Sequence, residues 1–155
     1  MRSVYCAILQ SHLQYAILIW GGAFKKHIKP LETAQKTALK VSCFKNRRFP
    51  TEQVYNLLSV MSVRQLYARQ LLLHAFKNHR NNQPIHTHGT RNRSHIRPTA
   101  ANTTALRRFV SIPAIKLYNK LPDTIKESLS LPIFKNKINK WLANLPANDL
   151  KNYLE

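Results

Sequence analysis

Acidic residues are scarce in this chain of 155 residues: six Asp and Glu stand against 25 Lys and Arg, for a formal charge of +19. Glycine is scarcer still, with three residues at Gly21, Gly22 and Gly89. So few glycines cannot build the loop of backbone N–H groups that cradles a nucleotide phosphate, and neither a P-loop nor a dinucleotide fingerprint is present. The two cysteines, Cys6 and Cys43, lie far apart and outside any C-x-x-C spacing, which points to neither a zinc site nor a disulfide framework. Each is expected to pack as a small hydrophobe. No long apolar run exists either. Gln10, Ser11, His12 and Gln14 interrupt the apolar residues between Val4 and Phe24, whereas a spanning helix needs about 20 mainly apolar residues. A signal peptide fails for the same reason. The expected compartment is intracellular, and the charge is compatible with the nucleus.

Paired carboxylates are also missing. Two-metal phosphoryl transfer needs converging acids that hold metal ions about 4 Å apart. Asp123 and Asp149 are separated, and Glu32, Glu52, Glu127 and Glu155 form no pair. The histidines His79, His86, His88 and His95 are closely spaced, but Arg80, Arg91, Arg93 and Arg97 surround them and would repel a cation, with no cysteine or carboxylate to complete a shell. The expectation is no catalytic residue, no metal and no cofactor. Oligomeric state is left open.

What is present is a core and a large positive charge. Apolar residues make up 44% of the chain, enough for a modest core in one domain or one domain plus a tail. The self-repulsion of +19 is relieved best by a polyanion. Nucleic acid, RNA or an RNA/DNA hybrid, is the leading partner and an anionic lipid surface the second.

The apolar spacing predicts a mainly α protein. A helix over 3–19 places Ile8, Leu9, Leu13, Ala16, Ile17 and Trp20 at helical intervals, with Gly21 and Gly22 supplying the left-handed turn that ends it. Lys25, Lys26 and Lys29 then fall on a turn, and Pro30 opens a second helix with Leu31, Ala38 and Leu39 as its apolar face and Glu32, Lys36 and Lys40 as a basic stripe. Thr51 is positioned to cap a short helix through Val54, Leu57 and Leu58, and Ser62 a longer one to about residue 80 with Val63, Leu66, Tyr67, Leu71 and Phe76 inside. These four helices form a small bundle over 1–80. Residues 81–108 lose periodicity and read as a basic, proline-punctuated linker. Apolar spacing returns over 109–155: Pro113 opens a short helix, Asp123 or Thr124 caps a turn with Glu127 in capping-box position, and Phe134, Ile138, Trp141, Leu142 and Leu145 line a last helix.

Among the basic residues, the loop 44–51 is the sharpest candidate. Lys45, Arg47 and Arg48 stand between Phe44 and Phe49, so the cations can meet phosphates while a ring stacks on an unpaired base. Phe49 is the candidate ring, with plugging of the bundle as its competing role. Lys25, Lys26 and Lys29, and the linker trio Arg91, Arg93 and Arg97, complete the expected nucleic-acid-binding set.

Several of these segments together resemble the end of a reverse transcriptase from a non-LTR (LINE-type, jockey-like) retrotransposon. LQYAILIWGGA (13–23) is similar to the helix that follows the polymerase palm, LETAQKTALKV (31–41) to the next helix with its Gln-Lys pair, and RRFPTEQVYNLL (47–58) to a Pro-Thr-x-x-x-Tyr segment. HGTR (88–91) is similar to a His-x-Thr-Arg element, and LYNKLP with SLPIFKNKINKWL to the terminal motif. The order and spacing run through nearly the whole chain. The resemblance implies a thumb-like bundle and carboxy-terminal tail of an RNA-directed DNA polymerase, without the fingers, the palm or the palm's Asp-Asp pair, and therefore a non-catalytic segment that grips template RNA or primer. The alternative from the residues alone is an independent cationic adaptor or scaffold for a protein or an acidic lipid.

Overall fold

The computed structural model describes residues 2–79, 95–145 and 150, and every regular element among them is helical. Packing divides the chain into two compact units, residues 1–67 and 68–155. Composition set a boundary at 80/81; packing sets one inside the helix that carries both Tyr67 and Ala68.

The first unit does not begin with one continuous helix. α1 (Arg2–Tyr5), a π-helical turn (Cys6–Gln10) and α2 (Ser11–Gln14) follow one another. Ser11 Oγ lies 2.6 Å from the Ala7 carbonyl and 2.8 Å from that of Ile8, the back-bonding by which a mid-helix serine loosens the ladder around it. Tyr15 then turns extended and Ala16 left-handed (φ 48°) before α3 (Ile17–Trp20). Trp20 Nε1 donates to the Tyr15 carbonyl at 2.8 Å and braces the break. The helix expected over 3–19 is thus interrupted. Its reorientation buries Ile17 (1% exposed) while Ile8, Leu9 and Ala16 stay outside.

Glycine plays a different part from the one expected. Among the described residues no glycine has positive φ. Gly21 is required for space: a Cβ there would lie 2.7 Å from Cγ of Tyr67. Close approach of a ring, not left-handed backbone, fixes this position.

The second long helix starts five residues earlier than expected. α4 (Lys25–Ser42) holds Pro30 in its interior, where the missing N–H removes one i to i−4 bond. Its buried face of Ile28, Gln35 and Leu39 explains why the helix persists through the proline, since Ile28 lies upstream and only helix places it in register with the other two. Lys25, Lys26 and Lys29 therefore sit on a helix, not on a turn. α5 (Thr51–Leu58) buries Val54 and Leu58 but leaves Leu57 64% exposed, and Thr51 makes no cap bond. α6 (Val63–His79) opens with a capping box: Gln65 N–H donates to Ser62 Oγ (3.3 Å) and Ser62 N–H to Gln65 Oε1 (2.9 Å). Val63, Leu66, Tyr67, Leu71 and Phe76 are buried, as its spacing predicts.

The core of the first unit gathers Tyr5, Leu39, Val54, Leu58 and Val60, with Cys6, Cys43, Phe49 and Tyr55 packed against it. Gln35 is its polar centre. Its Nε2 donates to the Tyr5 hydroxyl (2.7 Å) and the Met61 carbonyl (2.9 Å), and its Oε1 accepts from the Tyr55 hydroxyl (2.9 Å) and the Val63 N–H (3.0 Å). One side chain thus ties α1, α4, α5 and the start of α6. Burial pushes both hydroxyls above the ordinary tyrosine value, the bond from Gln35 partly opposing this at Tyr5, and burial alone pushes Tyr67 up to about 12.

In the second unit α7 (Thr104–Arg107), α8 (Ser111–Asn119), α9 (Asp123–Lys126) and α10 (Leu131–Asn144) follow the remainder of α6. Phe134 is fully buried, stacked on Phe76 with centroids 4.2 Å apart and tilted against Tyr118 at 6.3 Å. Arg69 Nε donates to Asn139 Oδ1 at 2.8 Å, a second tie between α6 and α10. Pro113 is the third residue of α8, inside the first turn. The box expected at Thr124 and Glu127 does not form: Pro122 holds the cap position of α9, and Asp123 pairs with Lys126 instead. Residues 80–94, which include half of the expected linker, lie outside the described residues. Of its remainder, 95–103 is non-helical, with Asn119 bonding both the N–H and the carbonyl of Ile96 (3.0 and 2.7 Å), and Thr103 caps α7.

Candidate nucleic-acid interface

At 3.6 residues per turn, Lys25, Lys29, Lys36 and Lys40 fall within about 60° of arc on α4. They form one flank along the helix rather than a cationic turn. Glu32 shares that flank, and Arg64 of α6 engages its carboxylate directly. The acid that could neutralise the lysines is therefore committed elsewhere. Glu32 and Glu52 are the only acids in residues 1–67. Lys25 and Lys26 open the helix with no acid in its first turn, an arrangement that the helix dipole disfavours in the free chain and a bound anion would relieve.

The flank runs into the loop that follows. Phe44 N–H bonds the Val41 carbonyl (3.0 Å) and Lys45 N–H the Lys40 carbonyl (2.9 Å), with Phe44 at φ 53°: a Schellman closure with phenylalanine where glycine is usual. Lys40 Nζ donates to the Arg47 carbonyl at 2.8 Å, and Phe49 N–H closes a turn on Asn46 (2.9 Å). The loop is pinned through its backbone while the side chains of Lys45, Arg47 and Arg48 project into solvent. Neither arginine makes an ion pair among the described residues. Phe49 is half-buried against the core cluster, in the plugging role, and the Lys45 ammonium lies 5.1 Å from its ring centre. Phe44 is 85% exposed.

Of the linker trio, Arg91 and Arg93 lie outside the described residues, and Arg97 is exposed beside Ile96 in the second unit. The structure thus brings together Lys25, Lys29, Lys45, Arg47 and Arg48 with Lys36 and Lys40, and places Lys26 at the edge of the flank. Among the described residues no three His, Cys, Asp or Glu side chains gather in a way that holds a metal ion, and no helix is long and apolar enough to cross a membrane. His86 and His88 lie outside the described residues.

Sequence reasoning missed Gln35, buried beneath this surface, and named Phe44 only as a flanking ring, with Phe49 as the candidate for stacking. Gln35 sits at helical spacing between Ile28 and Leu39, a polar residue on an apolar face, and that misfit was the available signal. Nothing local marks Phe44 as the outward ring and Phe49 as the inward one. Compared with known proteins, the chain matches no family model, no curated protein and no solved structure.

Proposed function

We propose that this chain binds nucleic acid, RNA or an RNA/DNA hybrid, through phosphate contacts from the α4 flank and the loop after it, without catalysing a reaction. The observation that supports this reading best is the continuity of the basic flank with a loop held in place by its own backbone. A preformed row of cations meets a phosphate backbone without first losing the entropy of an ordering loop. Together with the motif resemblance, this suits the thumb of a retroelement reverse transcriptase, the part that holds template and primer while a palm supplies the chemistry.

The reading is tested by titrating the chain into labelled RNA and duplex DNA over a salt series. With about six phosphates engaged on duplex DNA, log K falls with log salt at a slope near −5. Replacing Lys36, Arg47 and Arg48 by Gln makes the slope shallower by about 3, near one per lost phosphate contact. The matched control replaces Lys116, Lys135 and Lys140, exposed cations of the second unit, and loses less affinity. Equal losses from the two triple variants mean that net charge alone binds. A salt-independent affinity sinks the reading.

A further inference from the structure

We propose that Phe44 is a stacking platform for an unpaired base, so that this surface takes single-stranded nucleic acid in preference to a closed duplex. The inference rests on the phosphate-binding reading above and adds what the strand must offer besides phosphate. Phe44 is 85% exposed, more than any other large apolar side chain described. It stands in left-handed backbone (φ 53°), a conformation that strains any residue with a Cβ and that glycine would adopt freely at this helix end. The fold therefore gains neither burial nor backbone ease from this ring. Where a strained backbone and an exposed ring coincide, the benefit lies outside the free chain.

The surroundings indicate what that benefit is. The bonds from Phe44 N–H to Val41 and from Lys45 N–H to Lys40 fix where the ring leaves the backbone, so its placement costs little ordering on binding. Lys45, Arg47 and Arg48, all exposed, follow within four residues, the combination of one π-face and several cations that single-strand binders use. In a duplex the base faces are already stacked on one another and no ring can reach them. Phe49, the loop's other ring, packs against the core. A lipid surface is the weaker match: interfacial anchoring scales with apolar area, and beside this ring the loop offers Asn46, Arg47 and Arg48.

The experiment uses the full chain and its Phe44→Gly, Phe44→Ala and Phe44→Trp variants, each titrated against a labelled oligouridine, an RNA duplex of equal length and phosphatidylserine vesicles. Gly and Ala are expected to lose about 5- to 100-fold more affinity for oligouridine than for duplex, the span that stacking on one base carries, and Trp to retain it. Phe44→Gly should also melt above the parent chain, which separates lost stacking from lost folding. Equal losses on both RNAs overturn the inference and leave phosphate binding standing. Loss confined to the vesicles overturns it in favour of lipid. Failure of the parent chain to bind either RNA removes the phosphate reading itself.

Discussion

The two units reach a folded state by different means. The second is closed by apolar packing, with Phe134 stacked on Phe76 and fully buried. The first is organised around a buried amide, Gln35, whose four hydrogen bonds join three helices and the start of a fourth. It also carries all three non-glycine residues of positive φ among those described, Ala16, Phe44 and Ser59. Of the four large apolar side chains more than 80% exposed among the described residues, Tyr15, Ile19 and Phe44 belong to it as well, and Leu129 to the second unit. A polar network fixes geometry at the expense of tolerance, because each of its members must find a partner. Strained backbone, and most of the outward apolar side chains, thus fall in the unit organised by the polar network and not in the one closed by apolar packing.

The largest effect is expected from the apolar core. Phe134→Ala removes a ring stacked 4.2 Å from Phe76 and should destabilise the second unit by about 3–5 kcal/mol, read by chemical denaturation at Trp141. A loss below about 1 kcal/mol would mean that the stack contributes little to that core.

Gln35→Leu keeps side-chain bulk but strands two tyrosine hydroxyls, the Met61 carbonyl and the Val63 N–H. Stranded buried groups cost about 1–3 kcal/mol each, and with partial access of water the first unit should lose about 2–4 kcal/mol, read at Trp20. Gln35→Glu distinguishes the amide from mere bulk: it retains acceptors and loses the donor, so the Tyr55 and Val63 bonds persist, the Tyr5 hydroxyl can turn to donate to the carboxylate, and the bond to the Met61 carbonyl fails. A neutral outcome for Gln35→Leu would show the first core to be as apolar in its energetics as the second.

The last effect is absent at neutral pH and appears only in alkali: it is on pH dependence, and it follows the tyrosines of the first unit. A free tyrosine ionises near 10, whereas burial holds Tyr67 up to about 12 and Tyr5 and Tyr55 also above the ordinary value. These hydroxyls stay neutral in the fold while the unfolded chain ionises, so their contribution is complete below pH 10 and is lost as pH rises toward the folded values. Tyr67 alone accounts for about 1.4 kcal/mol per pH unit between 10 and 12. Melting curves at rising alkaline pH should show the Trp20 transition falling ahead of that of Trp141. Tyr67→Phe should flatten the slope by about one tyrosine's share.

Local chemistry made part of this legible. Ser62 marked the start of α6, and the spacing of Val63, Leu66, Tyr67, Leu71 and Phe76 marked its inner face, because a cap and a helical period involve only neighbouring residues. The excess of Lys and Arg marked a cationic surface from composition alone. The break at Tyr15 and Ala16 was illegible, since an apolar period continues straight across it and only the pull of Ile17 into the core turns the chain. Pro30 likewise reads as a helix start by local rule, yet burial of Ile28 outweighs one lost hydrogen bond.

For the candidate site, the sequence by itself determined the charge, the residues of the loop and the two rings that flank its cations. Tertiary structure decided that Lys25, Lys29, Lys36 and Lys40 form one flank, that Arg64 occupies the acid among them, and that Phe49 turns inward while Phe44 turns out. The physical reason is one of range. Caps, periods and charge are properties of neighbours along the chain, whereas burial and the pairing of Glu32 with Arg64 depend on residues brought together from distant positions.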